Sequence, residues 1–142
     1  MATYNLDQVS CSLAGVPILG GWGEGGSISI KRNQEIFENT VGRGGHVVRS
    51  RTSDKTGTAE LTVLQTDPVN SQFAALARLD ENTPHGAGIG VFQCRDRENG
   101  DEYVSAKAWI QAWPDTDLDR KATDRTWMIY CEDLQFFPGG RP

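Results

Sequence analysis

The sequence predicts a mainly β fold, a small antiparallel β-sandwich or open barrel with one packed α-helix, over a single domain of residues 1–142. Three observations carry this. Short segments of apolar–polar alternation recur along the chain, each ended by glycine, proline or a polar turn. The 16 glycines fall mostly between apolar stretches, the pattern of an all-β chain with many turns. Only one segment combines a helix-start signal with helical spacing of apolar residues. No linker or repeat divides the chain.

Taken in order, Val9, Cys11 and Leu13 alternate with Ser10 and Ser12 in a first strand, which Gly15-Val16-Pro17 is expected to break. A glycine-rich connection, Gly20 to Gly26, leads to a second strand in which Ile28 and Ile30 alternate with Ser27, Ser29 and Lys31. The apolar pair Ile36-Phe37 stands in an otherwise polar stretch. Val41 to His46 is mobile by composition. Val47 to Arg51 fits a strand whose outward face is basic, and Asp54 to Gly57 reads as a turn. Ala59, Leu61 and Val63 then alternate with Thr58, Glu60 and Thr62, a half-buried strand with one polar face.

Asp67 suits a helix N-cap and Pro68 the first helical position. Val69, Phe73, Leu76 and Ala77 follow on one apolar face, and Asp80 to Pro84 ends the helix. Ile89 to Arg95 is the next strand, followed by an Asn-Gly hairpin signal at Asn99-Gly100. In the strand after it, Val104, Ala106, Ala108, Ile110 and Ala112 fall on one face and Tyr103, Ser105, Lys107, Trp109, Gln111 and Trp113 on the other. Pro114 stops that strand. The last strand, Thr126 to Phe137, changes phase after Trp127, Ile129 and Cys131, and a bulge near Glu132-Asp133 accounts for the change.

A chain of 142 residues buries a core without disulfides or metal. It is 37% hydrophobic and 23% charged, a composition neither disordered nor membranous. No stretch approaches the roughly 20 apolar residues of a membrane span, so no membrane partner is expected. Met1 to Asn5 lacks a basic region followed by an apolar run, so no secretory signal is read. The net charge of -5 excludes a surface that grips nucleic acid all over. Cys11, Cys94 and Cys131 are odd in number and form no CxxC, so they read as small buried hydrophobes and not as a metal knuckle or redox pair.

Chemistry finds little purchase. His46 and His85 lie in glycine-containing loops with no nucleophile or carboxylate at a recognised spacing. Gly42 to Gly45 has the glycine content of a phosphate-cradling loop without its lysine or its GxGxxG spacing. Asp115, Asp117 and Asp119 alternate as in a calcium loop but lack the glycine and the closing Glu. No catalytic residue, cofactor or metal is therefore expected. The one electrostatic feature is the clustering of Arg43, Arg49, Arg51 and Lys55 in an acidic chain. It reads equally as a solvated face or as a contact with an acidic neighbour.

The block from Val41 through Gly42-Arg43-Gly44-Gly45-His46 to Asp54-Lys55-Thr56-Gly57-Thr58 runs straight into Leu61 to Asn70. It resembles the signature region of the tail tube proteins of contractile-tailed bacteriophages. Ile30-Lys31-Arg32, Trp109-Ile110 and Arg125-Thr126-Trp127 are similar too, although Asp67 stands where that family often has Ser. The resemblance implies a small β-sandwich with one helix. Six such subunits form a ring whose sheets join edge to edge, and rings stack into a tube inside a contractile sheath. The expected partners are the chain itself, the tail sheath protein, the tape-measure protein and tube-end proteins. DNA passes through the lumen without specific binding, and the protein is a virion component assembled in the host cytoplasm. A tube of a phage-derived bacteriocin and a small ligand-binding β-barrel are the alternatives.

Two surfaces are singled out on this basis. Gly42, Arg43, Arg49, Arg51, Asp54 and Lys55 are expected in an extended loop or hairpin between subunits or rings, meeting acids such as Glu35, Glu38 or Asp54. Thr58, Glu60 and Thr62 are expected to face the lumen, because a neutral-to-acidic wall does not hold a polyanion. Trp109 and Trp113 are expected to be buried.

Overall fold

The structure is a computed structural model that describes residues 9–18, 27–97 and 100–139. Strand β1 (Val9–Leu13) is followed not by a break but by a hairpin to β2 (Val16–Ile18). Ala14 and Gly15 have φ of 51° and 83°, the two positive values that a two-residue I′ turn requires. Pro17 sits on β2 at the edge of the sheet, where its missing N–H leaves no ladder position empty. The expected Gly20 to Gly26 connection lies outside the described residues.

Six further strands complete the sheet: β3 (Ser27–Arg32), β6 (Gly57–Leu64), β7 (Gly90–Asp96), β8 (Glu102–Ala112), β9 (Asp124–Cys131) and β10 (Leu134–Phe137). Their order is β2-β1-β7-β8-β9-β6-β3, every pair is antiparallel, and β10 pairs with β8. Among the described residues the sheet does not close into a barrel. It curls so that Leu13, Phe92, Leu61, Ile129 and Leu134 share one fully buried core. Among the described residues, the two remaining strands, β4 (Phe37–Val41) and β5 (Val47–Arg51), pair only with each other.

Helix α1 (Val69–Asn82) starts as its sequence predicts. Pro68 already has helical dihedrals, and the Asp67 carboxylate accepts the Val69 N–H at 2.9 Å. Its inner face seats Phe73 edge-on to Trp127, with ring centroids 5.6 Å apart. Asn70 is the polar rivet beneath. Its side chain accepts the Trp127 Nε1–H at 2.8 Å and donates to the carbonyls of Leu64 and Gln65. Thr83, extended ahead of Pro84, ends the helix.

Strand β8 departs most from the expected pattern. Its pairing shifts twice, between the Gly90 and Phe92 partners and again between Ile110 and Ala112. Each bulge inverts the inward–outward alternation. Ser105 and Ala108 are therefore both buried, while Ala106 is exposed. The expected burial of Trp109 and Trp113 is corrected: the first bulge turns Trp109 outward, and Trp113 packs on Trp127 only at the rim of the helix side. Trp109 is half-buried on the outer face and Trp113 is 43% exposed, its Nε1–H donated to Glu81. The phase change at Glu132-Asp133 is present. The two residues interrupt the strand, and β9 and β10 both run along β8 with Cys131 and Leu134 buried. Of the expected Asn-Gly turn, Asn99 lies outside the described residues. Gly100, with φ of 85°, donates its N–H to the Asp96 carbonyl and closes the β7–β8 hairpin.

Candidate subunit interface

The alternation of β4 and β5 places side chains on two faces. Phe37, Asn39 and Val41 lie opposite Arg51, Arg49 and Val47 on one face; Glu38 and Thr40 lie opposite Ser50 and Val48 on the other. Neither face covers a core. Every residue of β5 is exposed, and Val41, Val47 and Val48 are each more than 60% exposed. The Arg49 guanidinium stacks 4.2 Å above the Phe37 ring. At the tip, Gly42 donates to the His46 carbonyl, and Gly44 and Gly45 take φ of 89° and 86°, which side-chain-bearing residues rarely adopt.

The base of this hairpin is tied to the body. Thr52 donates its N–H to the Ile36 carbonyl, and Asn33 donates its own to the Thr56 carbonyl. The Asp54 carboxylate accepts both the Thr56 hydroxyl and the Thr56 N–H, an Asx turn. Those two hydrogen bonds, the hydroxyl's first, hold the Asp54 carboxyl below its usual range. The Lys55 carbonyl accepts the Leu134 N–H, and Arg32 donates twice to the Leu134 carbonyl. Gly57 sits at this joint with no space for a side chain; a Cβ there would meet Leu134 Cδ2 at 2.3 Å. Of the expected loop residues, Gly42 and Arg43 therefore lie at the tip, Arg49 and Arg51 on one face of β5, and Asp54 and Lys55 at the base.

The polar face of β6 is a second surface. Thr58 is only 8% exposed, and its hydroxyl donates to Asn33 at 2.9 Å. Glu60 and Thr62 are partly open, with the Thr62 hydroxyl hydrogen-bonded to that of Thr126. Register extends this face in rows. Lys31, Thr58, Tyr130 and Trp109 form one row, and Ser29, Glu60 and Met128 the next. Glu60 lines a cavity of about 420 Å³ together with Asp115, Asp117 and Asp124. Among the described residues, no group of three or more His, Cys, Asp or Glu is placed to hold a metal ion.

Sequence reasoning found the cations but missed what surrounds them. The exposed valines and Phe37 make the Arg49–Arg51 face partly apolar. Register counted outward from the glycine turn would have revealed that face. Pairing of β3 with β6 brings Lys31 opposite Thr58, a cation that the β6 sequence alone does not show.

Over residues 1–139 the chain matches the family described as bacteriophage PhiTE tail tube protein. Among solved structures it is similar to a chain of the PVC extracellular contractile injection system sheath–tube complex in its extended state. That match has a TM-score of 0.61 at 8% identity and covers 96% of this chain and 92% of that one. A chain of the sheath/tube terminator of the same system matches with a TM-score of 0.61 at 7% identity, covering 96% and 98%. A chain of the anti-feeding prophage tube-terminating cap matches with a TM-score of 0.58 at 7% identity, covering 98% and 93%. No curated protein matches in sequence. At these identities the structural matches speak for a shared fold.

Proposed function

We infer the working assembly from one premise: this chain belongs to the bacteriophage PhiTE tail tube protein family. It is a structural subunit of a tail tube. The observation that carries this is the family match across residues 1–139. In the inferred assembly, subunits close into rings, six to a ring, and rings stack into a hollow tube within a contractile sheath. Two features support self-association. The open sheet ends in two edge strands, β2 and β3, and ring closure is one way to occupy such edges. The β4–β5 hairpin exposes apolar and cationic side chains that no other described part of the chain covers, and isolated two-stranded hairpins are marginal in water.

The hairpin is the contact between copies of the chain, and Arg49 and Arg51 meet carboxylates of a neighbour there. The wall around Glu60 lines the lumen, with Asp115, Asp117 and Asp124 adding negative charge that keeps DNA from adhering. The sheath, tape-measure and tube-end proteins are the further partners, and the chain works as a scaffold and not as an enzyme. A sheet that stays open offers no closed barrel for a small ligand. The solved relatives include injection particles, so the tube of a phage-derived particle is the second reading. Capsid genes beside this one would favour the phage. Negative-stain microscopy of the purified protein tests the assembly. Rings or tubes are expected, and a stable monomer at high concentration would contradict it.

A further inference from the structure

We propose that Cys11 and Cys94 form a latent cross-strand disulfide site, closed by a small aliphatic disulfide, that staples β1 to β7 without rearranging the sheet. The two residues are 83 positions apart in sequence yet are direct partners in the β1–β7 ladder. The phase of that ladder is fixed by the Ala14 N–H, which donates to the Val91 carbonyl at 2.9 Å. Ala14 stands opposite Val91, one step beyond the Leu13–Phe92 pair, so hydrogen-bonded pairs fall at Ala14, Ser12 and Ser10. Cys11 and Cys94 therefore occupy a non-hydrogen-bonded pair. Such pairs bring Cα atoms to about 4.5 Å with the side chains closest together. That spacing lies within the range of about 4.4–6.8 Å that disulfides span.

Both thiols are on the buried face, 4% and 3% exposed, and they are hydrogen-bonded to each other. That hydrogen bond and burial push the Cys11 thiol pKa up, which suppresses the reactive thiolate at Cys11. A route in exists. Cys94 lines a cavity of about 470 Å³ that also touches Val9, Ile28, Ile30 and Tyr103. The third cysteine is separated from the pair. Cys131 lies on β9 opposite Gly57 and Ala108, where burial raises its pKa to about 11 against a hydrogen bond with Ser105.

The exchange balances without any other reactant. The Cys94 thiolate attacks one sulfur of the small disulfide and expels the first small thiolate, which takes up the proton. Cys11, losing its proton, attacks the Cys94 sulfur of the mixed disulfide and expels the second. Two protein thiols lose two electrons, and one small disulfide becomes two small thiols.

The test uses the full chain and bis(2-hydroxyethyl) disulfide in two arms, one added to folded protein and one present during refolding. Free thiols are then capped with N-ethylmaleimide and the mass is read. The expected product is about 2 Da lighter before capping and carries one cap where the fully reduced chain carries three, with a peptide joining Cys11 to Cys94. Its melting midpoint is higher than that of the reduced chain. Cys131→Ala keeps the 2 Da loss, and Cys94→Ala abolishes it. Formation of the bond in either arm supports the site. Three caps in both arms, a mixed disulfide that Cys11 does not resolve, or a bond to Cys131 overturns it, and the wild-type peptide map decides even where a variant does not fold.

Discussion

The region around Trp127 and the β4–β5 hairpin are built from similar residue types and end in opposite conditions. Trp127 is 2% exposed, packed on Phe73 and hydrogen-bonded to Asn70. In the hairpin, Phe37 is half-buried under the Arg49 guanidinium, and valines stand open to solvent. One region spends its apolar surface on the chain's own stability. In the proposed tube, the other offers it to a second copy of the chain. Folding and assembly are thereby assigned to different residues, so they should separate under mutation.

The largest expected effect is at the body. Trp127→Ala empties the space under α1 and leaves the Asn70 side-chain oxygen without its donor, which should cost about 3–5 kcal/mol in denaturant unfolding. A loss below about 1 kcal/mol would show that Trp127 does not anchor the core. Next is the joint between the two regions. Gly57→Ala forces a Cβ against Leu134 and the Lys31 carbonyl, with an expected cost of about 1–3 kcal/mol. Unchanged unfolding there would mean that the joint relaxes freely.

The hairpin variants should do the reverse. Arg49→Glu with Arg51→Glu removes an exposed cation–π contact and should shift monomer stability by no more than about 1 kcal/mol while abolishing tubes. Normal tube yield in that double variant would sink the contact assignment. The smallest effect is at the hairpin base. The Asp54 carboxyl has a depressed pKa in the folded chain, so its contribution is present above the unfolded value and is lost as pH falls through the folded one. The Thr56 amide resonance should titrate in acid, below the ordinary carboxylate range, and Asp54→Asn should remove that titration. A Thr56 resonance that titrates identically in both proteins would contradict the Asx turn.

How far the sequence reaches can be judged from these same elements. Strands with one clean apolar face, such as Ala59, Leu61 and Val63, and a helix with both a cap and a face, are legible because burial and period coincide. Strand β8 is not, because two bulges reset its phase and no local residue announces them. That is why Trp109 turns outward, while Trp113, beyond the second bulge, packs on Trp127 and reaches Glu81 at the rim of the helix side. Cys11 and Cys94 could be read as buried but not as partners, since ladder register is set by the whole sheet. The detached hairpin left only an indirect trace. Val47, Arg49 and Arg51 share a face with Phe37 and Val41, and neither face of that hairpin is apolar enough to bury.

Amide hydrogen exchange of Val47–Arg51, compared between dispersed subunits and assembled tubes, tests the central claim most directly. Fast exchange is expected in the subunit and strong protection in the tube, with the amides of β6 protected in both. Equal, fast exchange of Val47–Arg51 in both states would contradict it, because the hairpin would then remain uncovered after assembly.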